Sequence, residues 1–160
     1  MESLLPVAAR VGALLKQRKE TLCISESSAG GLISAALLSV PGASAYFLGG
    51  AVVYTREART ELLGLTREAL AEVPPSTEAY ALVLARGMRA KLGTTWCLAE
   101  IGATGPTGNR YGYDAGHACF AVAGLKEASV TLETGSPDRI GNMRRFGVAA
   151  LELLEATLQG

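Results

Sequence analysis

The 160-residue chain contains one histidine, one tryptophan and three cysteines, and it carries no excess charge of either sign. Each scarcity excludes something. A single imidazole, His117, would leave a Ser-His-Asp triad resting on one residue, and it denies zinc its usual set of nitrogen ligands. His117 therefore reads as a structural histidine opening a strand, and neither metal nor cofactor is expected. Cys23, Cys97 and Cys119 are odd in number, lie in apolar runs and match no metal-box spacing, so they read as buried, reduced thiols. Fifteen basic and fifteen acidic side chains cancel. Without a net field toward phosphate backbones or anionic bilayers, neither nucleic acid nor a membrane is expected as a partner. The apolar N-terminal stretch is broken by Arg10 and Lys16, too short to span a bilayer and unlike a secretory signal, which makes the cytoplasm the expected location. Repeats, low-complexity tracts and long linkers are also missing. One domain over residues 1–160 is expected, large enough to bury roughly two-thirds of its unfolded surface.

What is present is a succession of short periodic segments. Leu4, Leu5, Ala8, Val11, Leu14 and Leu15 recur at three- and four-residue intervals, the period of an amphipathic helix. Thr21 to Ser25 reads as a strand, and Gly30 to Leu38 as a helix ending before Val40-Pro41-Gly42. Tyr46 to Thr55 reads as a second strand, in which Gly49-Gly50 marks a bulge or a close backbone approach. Helical spacing resumes over Arg56 to Gly64, and again from a Ser76 or Thr77 start to Leu92, with Gly93 as the stop. Trp96 to Ile101 is a strand feeding the glycine-rich loop Gly102 to Gly116. His117 to Ala123 and Ala128 to Thr134 are joined only by Gly124 to Glu127, a length that suits an antiparallel hairpin and not a parallel crossover. A last helix, Arg139 to Leu158, gathers Phe146, Ala149, Ala150, Leu153 and Leu154 on one face. The pattern predicts an α/β fold, a three-layer α/β/α sandwich around a mixed sheet.

Four segments carry candidate chemistry. Ser25-Glu26-Ser27-Ser28-Ala29-Gly30-Gly31 places hydroxyls and a carboxylate where a strand runs into a helix, the end at which open α/β sheets bind ligands. Its serines are either an ordinary helix cap or part of a site in which free N–H groups hold an anion or oxyanion. Tyr54-Thr55-Arg56-Glu57-Ala58-Arg59 brings a phenol and two guanidiniums to a strand end, or else forms a solvated turn with Glu57 paired to the arginines. Gly102 to Arg110 either has enough glycine to offer main-chain N–H groups to a phosphate, without a P-loop lysine or a dinucleotide fingerprint, or is a plain long turn. Ser136-Pro137-Asp138-Arg139 is a helix start whose Arg139 reaches a ligand or pairs with Asp138.

In order and spacing these segments resemble the CinA carboxy-terminal domain family, also called the PncC or nicotinamide-nucleotide amidase family, over about Leu4 to Leu158. The family's E-S-C-T-G-G segment stands here as Glu26 to Gly31, its tyrosine-bearing strand end as Val53 to Arg59, its G-x-x-G-P-x-G loop as Gly102 to Gly108, and its G-D-R helix start as Gly135 to Arg139 with two extra residues. The resemblance implies deamidation of nicotinamide mononucleotide to nicotinic acid mononucleotide without a metal, in a homo-oligomer. It makes Ser27 the nucleophile, with Tyr54 and Arg59 beside it, Glu26, Ser28, Gly30 and Gly31 shaping the site, N–H groups of an Ala29 to Leu38 helix facing the oxyanion, and Gly102, Gly105 and Arg139 holding the mononucleotide. Two positions depart from the family. Arg59 replaces a lysine, and a guanidinium does not act as a base, so Ser27's proton must go elsewhere, such as Tyr54 or Glu26. Ser28-Ala29 replaces Cys-Thr, which sets a second hydroxyl beside Ser27. Larger family members carry an amino-terminal domain whose activity is not transferred to this chain.

Overall fold

The computed structural model describes residues 1–160. After a 3-10 turn at Glu2–Leu4 the elements are α1 (Leu5–Arg18), β1 (Leu22–Glu26), α2 (Leu32–Leu38), β2 (Phe47–Val52), α3 (Arg56–Leu63), α4 (Arg67–Ala71), α5 (Glu78–Leu92), β3 (Trp96–Gly102), β4 (His117–Ala123), β5 (Ala128–Glu133) and α6 (Arg139–Gln159). The five strands form one sheet in the order β2-β1-β3-β4-β5. Its first three strands are parallel, and β4 and β5 add the antiparallel hairpin that the four-residue connection requires.

Residue alternation along the central strands divides the interior into two layers. Leu22, Ile24, Trp96, Leu98, Phe120 and Val122 face α1, α2 and α6, whereas Cys23, Cys97, Ala99, Cys119 and Ala121 face α5. This is the three-layer sandwich with a mixed sheet that the periodicity predicts. The apolar face of α6 is present too, with Phe146, Ala150 and Leu154 fully buried. All three cysteines are buried and free.

The differences from the sequence reading are local. Gly30 and Gly31 have φ of 69° and 99°, left-handed values that delay α2 until Leu32. β2 stops at Val52 because Thr55 turns out of the sheet to cap α3, accepting the Ala58 N–H at 3.1 Å. Its pairing with β1 skips a residue between Phe47 and Gly49, the expected bulge. A Cβ on Gly50 would collide with Ser34 Oγ, so the close approach is present as well. α4, five residues capped by Thr66, is too short to have left a periodic signal. No helix is long and apolar enough to cross a membrane.

Candidate active site

The parallel strands β1, β2 and β3 end on the same side of the sheet, and the α2 and α5 connections leave it on opposite faces, which opens a crevice beyond their carboxyl ends. A cavity of about 600 Å³ occupies this crevice. Six sequence-derived candidates line it: Ser27, Tyr54, Arg59, Gly102, Gly105 and Arg139. Glu26, Ser28, Gly30 and Gly31 do not; they form the wall behind Ser27.

That wall is organised by two carboxylates. Glu26 accepts the N–H groups of Gly31 (2.9 Å), Ile33 (2.8 Å) and Ser34 (3.1 Å) together with the Ser34 hydroxyl (2.9 Å), so it caps α2 from inside the protein. The serines are therefore not the cap, since the N-cap position itself, Gly31, has no side chain to offer. Glu26 is fully buried with both oxygens committed, which removes it as the acceptor of Ser27's proton. Glu100, in β3, accepts the N–H groups of Ser27 and Ala29, each at 2.9 Å, and the Ser28 hydroxyl. The expected oxyanion donors at the start of α2 are thus occupied: Ala29 by Glu100, and Gly31, Ile33 and Ser34 by Glu26. Within the turn the Ser28 N–H is left without a protein acceptor. Ser27 Oγ makes no hydrogen bond to the protein, although the residue is 3% exposed. Its residue lines the cavity.

Glu100 was not among the sequence-derived candidates. Its partners lie 71 to 73 residues away along the chain. The available signal was one acid inside the otherwise apolar run Trp96 to Ile101, a combination that marks a buried charge with dedicated partners.

Burial raises the pKa of Glu26 against the opposing N–H bonds of Ile33, Ser34 and Gly31, and it raises that of Glu100, with the nearby Glu26 charge adding to the effect. A carboxyl raised in the folded state contributes stability below the ordinary glutamate value of 4.5 and loses that contribution as pH rises through the folded value. The pair should therefore make the protein less stable as pH increases from 4.5 toward neutrality. Glu20 and Glu78, whose values are lowered, act in the opposite sense and lose their contribution as pH falls below 4.5. Glu100→Gln should flatten the upper window, because the amide oxygen keeps the two N–H bonds and its NH₂ donates to Ser28 Oγ. Urea unfolding at a series of pH values measures the slope; an unchanged slope would exclude Glu100 as its source.

Across the cavity, Arg59 is buried. Its Nε donates to Val53 O (3.1 Å), Nη1 to the Tyr80 hydroxyl (3.2 Å) and Nη2 to Tyr54 O (3.1 Å), and its guanidinium lies 5.5 Å from the Tyr80 ring centroid. The surface pairing with Glu57 does not occur, and Arg59 instead binds the end of β2 to α5. Tyr54, 57% exposed, stands at the rim. Arg139 donates to Gly105 O at 2.6 Å, not to Asp138, whose carboxylate caps α6 through the Gly141 N–H. Arg56 and Arg110 also line the cavity. Neither they nor Arg139 has a carboxylate partner; the lining holds four arginines against one acid, Glu57. The neutral whole chain thus carries a locally positive cavity. In the loop, the N–H groups of Thr104, Gly105, Thr107 and Gly108 have no protein acceptor and are available to an anion. His117 lies outside the lining, its Nδ1 facing Glu133 and its Nε2 donating to Ser76 O at 2.8 Å. No cluster of three or more His, Cys, Asp or Glu side chains is arranged to hold a metal ion.

The architecture defines a class: a mixed α/β sandwich with a hydroxyl and an arginine-lined crevice at the carboxyl ends of its parallel strands. The sequence profile of the CinA C-terminal domain matches residues 4–158, and the chain belongs to that family. It is 35% identical over 159 residues to a CinA-like protein of Chloroherpeton thalassium, covering 96% of this chain and 38% of the relative. It is 34% identical over 146 residues to one of Chlorobium limicola, covering 88% and 34%. The chain thus spans little more than a third of these relatives' length. Among solved structures, a competence-damaged protein (CinA) superfamily member from Klebsiella pneumoniae superposes with a TM-score of 0.90 at 25% identity, covering 98% of both chains. The competence/damage inducible protein of Agrobacterium tumefaciens gives 0.89 at 25% identity, covering 99% of this chain and 96% of that one.

Proposed function

We propose that the chain is an amidohydrolase that deamidates nicotinamide mononucleotide, or a closely related pyridine nucleotide, with Ser27 as the nucleophile. The observation that carries this reading is the presence in one cavity of a hydroxyl with no protein partner and four arginines with no carboxylate partner. A phosphate monoester bearing a carboxamide satisfies both. Arg139, Arg110 and the loop amides bind the phosphate, guanidinium forks and free N–H groups being suited to its oxygens. The carboxamide then lies against Ser27.

Ser27 Oγ attacks the carboxamide carbon, forming a C–O bond, and the carbonyl π electrons move to oxygen, where the Ser28 N–H donates to the oxyanion. Tyr54 receives the Ser27 proton as its phenol passes its own to the amide nitrogen. The C–N bond breaks, ammonia leaves, and water hydrolyses the acyl-Ser27 ester to nicotinic acid mononucleotide. This route asks nothing of Arg59 as a base. The test is equimolar release of ammonia and nicotinic acid mononucleotide by purified protein; absence of both at saturating substrate overturns the reading. Arg139→Ala should raise KM about tenfold or more with a smaller change in kcat, because a phosphate contact is made in ground and transition states alike. Initial-rate kinetics show the split, and an unchanged KM would remove Arg139 from the phosphate site.

One observation favours a second reading, a nucleotide-binding protein without turnover: Ser27 Oγ has no hydrogen-bonded base, and the guanidinium of Arg59, engaged with Val53, Tyr54 and Tyr80, does not supply one. That reading requires saturable mononucleotide binding with no product.

A further inference from the structure

Ser76 lies between Pro75 and Thr77, the cap of α5, and lines the same cavity as Ser27. It is 2% exposed and has a φ of 59°, a left-handed conformation that a β-carbon disfavours and that persists only where surrounding contacts impose it. The contacts come from β4 and from the glycine-rich loop. His117 Nε2 and Cys119 Sγ, both in β4, donate to the Ser76 carbonyl at 2.8 and 3.3 Å. The imidazole is itself held by Glu133 of β5 and by the Tyr113 ring stacked 4.0 Å away. From the loop, Asn109 Nδ2 donates to Ser76 Oγ at 3.1 Å, while Asn109 Oδ1 accepts the N–H groups of Tyr111 and Tyr113.

Asn109 makes the Ser76 oxygen an acceptor, so the hydroxyl proton must point elsewhere, and no protein atom receives it. Asn109 lies between Gly108 and Arg110, which line the cavity, so this donor belongs to the end formed by the glycine-rich loop. We propose that Ser76 is a specificity-determining contact whose hydroxyl donates to the phosphate of a bound mononucleotide. The left-handed backbone, fixed from behind by His117 and Cys119, aims that hydroxyl. This rests on the reading of the cavity as a mononucleotide site.

The experiment is calorimetric titration of wild type, Ser76→Ala and Ser76→Gly with nicotinamide mononucleotide and with the phosphate-free nicotinamide riboside. Both variants should bind the mononucleotide about tenfold more weakly, the loss expected for one hydrogen bond to a charged group, and the riboside as wild type does. Glycine tolerates the left-handed backbone, so a folded Ser76→Gly protein separates hydroxyl loss from strain. Wild-type affinity for the mononucleotide in either variant, or an equal loss for both ligands, overturns the proposal while leaving the mononucleotide site standing. Failure of the wild type to bind the mononucleotide overturns both.

Discussion

Ser27→Ala should lower ammonia release from nicotinamide mononucleotide by about a thousand-fold or more, while shifting unfolding stability by less than about 0.5 kcal/mol. The two halves follow from the same geometry. Ser27 Oγ binds no protein group, so its removal breaks no hydrogen bond, and the backbone of the turn is held through the Ser27 and Ala29 N–H bonds to Glu100. What is lost is the atom that forms the acyl ester. Ser28→Ala is the control. The Ser28 hydroxyl donates to Glu100, so its loss weakens support of the turn but leaves a nucleophile in place, and the rate should fall far less. Steady-state assays beside thermal unfolding curves distinguish the outcomes; a larger rate loss in Ser28→Ala than in Ser27→Ala would transfer the nucleophilic role to Ser28.

Glu26→Ala should destabilise the protein by about 4 kcal/mol, lowering Tm by about 10 °C, the largest stability effect expected of a substitution in the site. Three N–H groups at the start of α2 and the Ser34 hydroxyl would lose their acceptor in a buried setting. Glu26→Gln should cost about 2 kcal/mol despite its shape, because the NH₂ must face at least one of those N–H donors in either orientation. Glu100→Gln should be milder, since its amide can rotate to satisfy all three partners. Denaturant unfolding should rank the losses, largest first, as Glu26→Ala, Glu26→Gln and Glu100→Gln; equal costs for Glu26→Gln and Glu100→Gln would show that Glu26 does not cap α2 as described.

Periodicity along the chain exposed most of the fold. Leu22 and Ile24 alternate with Cys23 because β1 is buried on both faces, and the four residues Gly124 to Glu127 leave room only for a hairpin. The crevice was legible as well, because a ligand site at the carboxyl ends of parallel strands needs only the order of elements and the turn chemistry after each strand. The division of labour inside the site was not. Glu26, next to Ser27 in sequence, points into the start of α2, while Glu100, 73 residues from Ser27, holds the turn. Local patterns are blind to a hydrogen bond that depends on β1 and β3 being neighbours. The bonds of Arg59 were illegible for a similar reason, since its partners Val53 and Tyr80 come together only when α3 packs on α5. Ser76 gave no sign of a left-handed backbone, which sequence signals mainly through glycine or asparagine.

The proposed reaction turns on a covalent step at Ser27. Its most direct measurement is acid quenching of wild-type protein during turnover of nicotinamide mononucleotide, followed by intact-mass and peptide mass analysis. An acyl adduct on the peptide containing Ser27, missing from Ser27→Ala, is the predicted result. Undiminished turnover by Ser27→Ala, or an adduct fragmenting to Ser28, would contradict it.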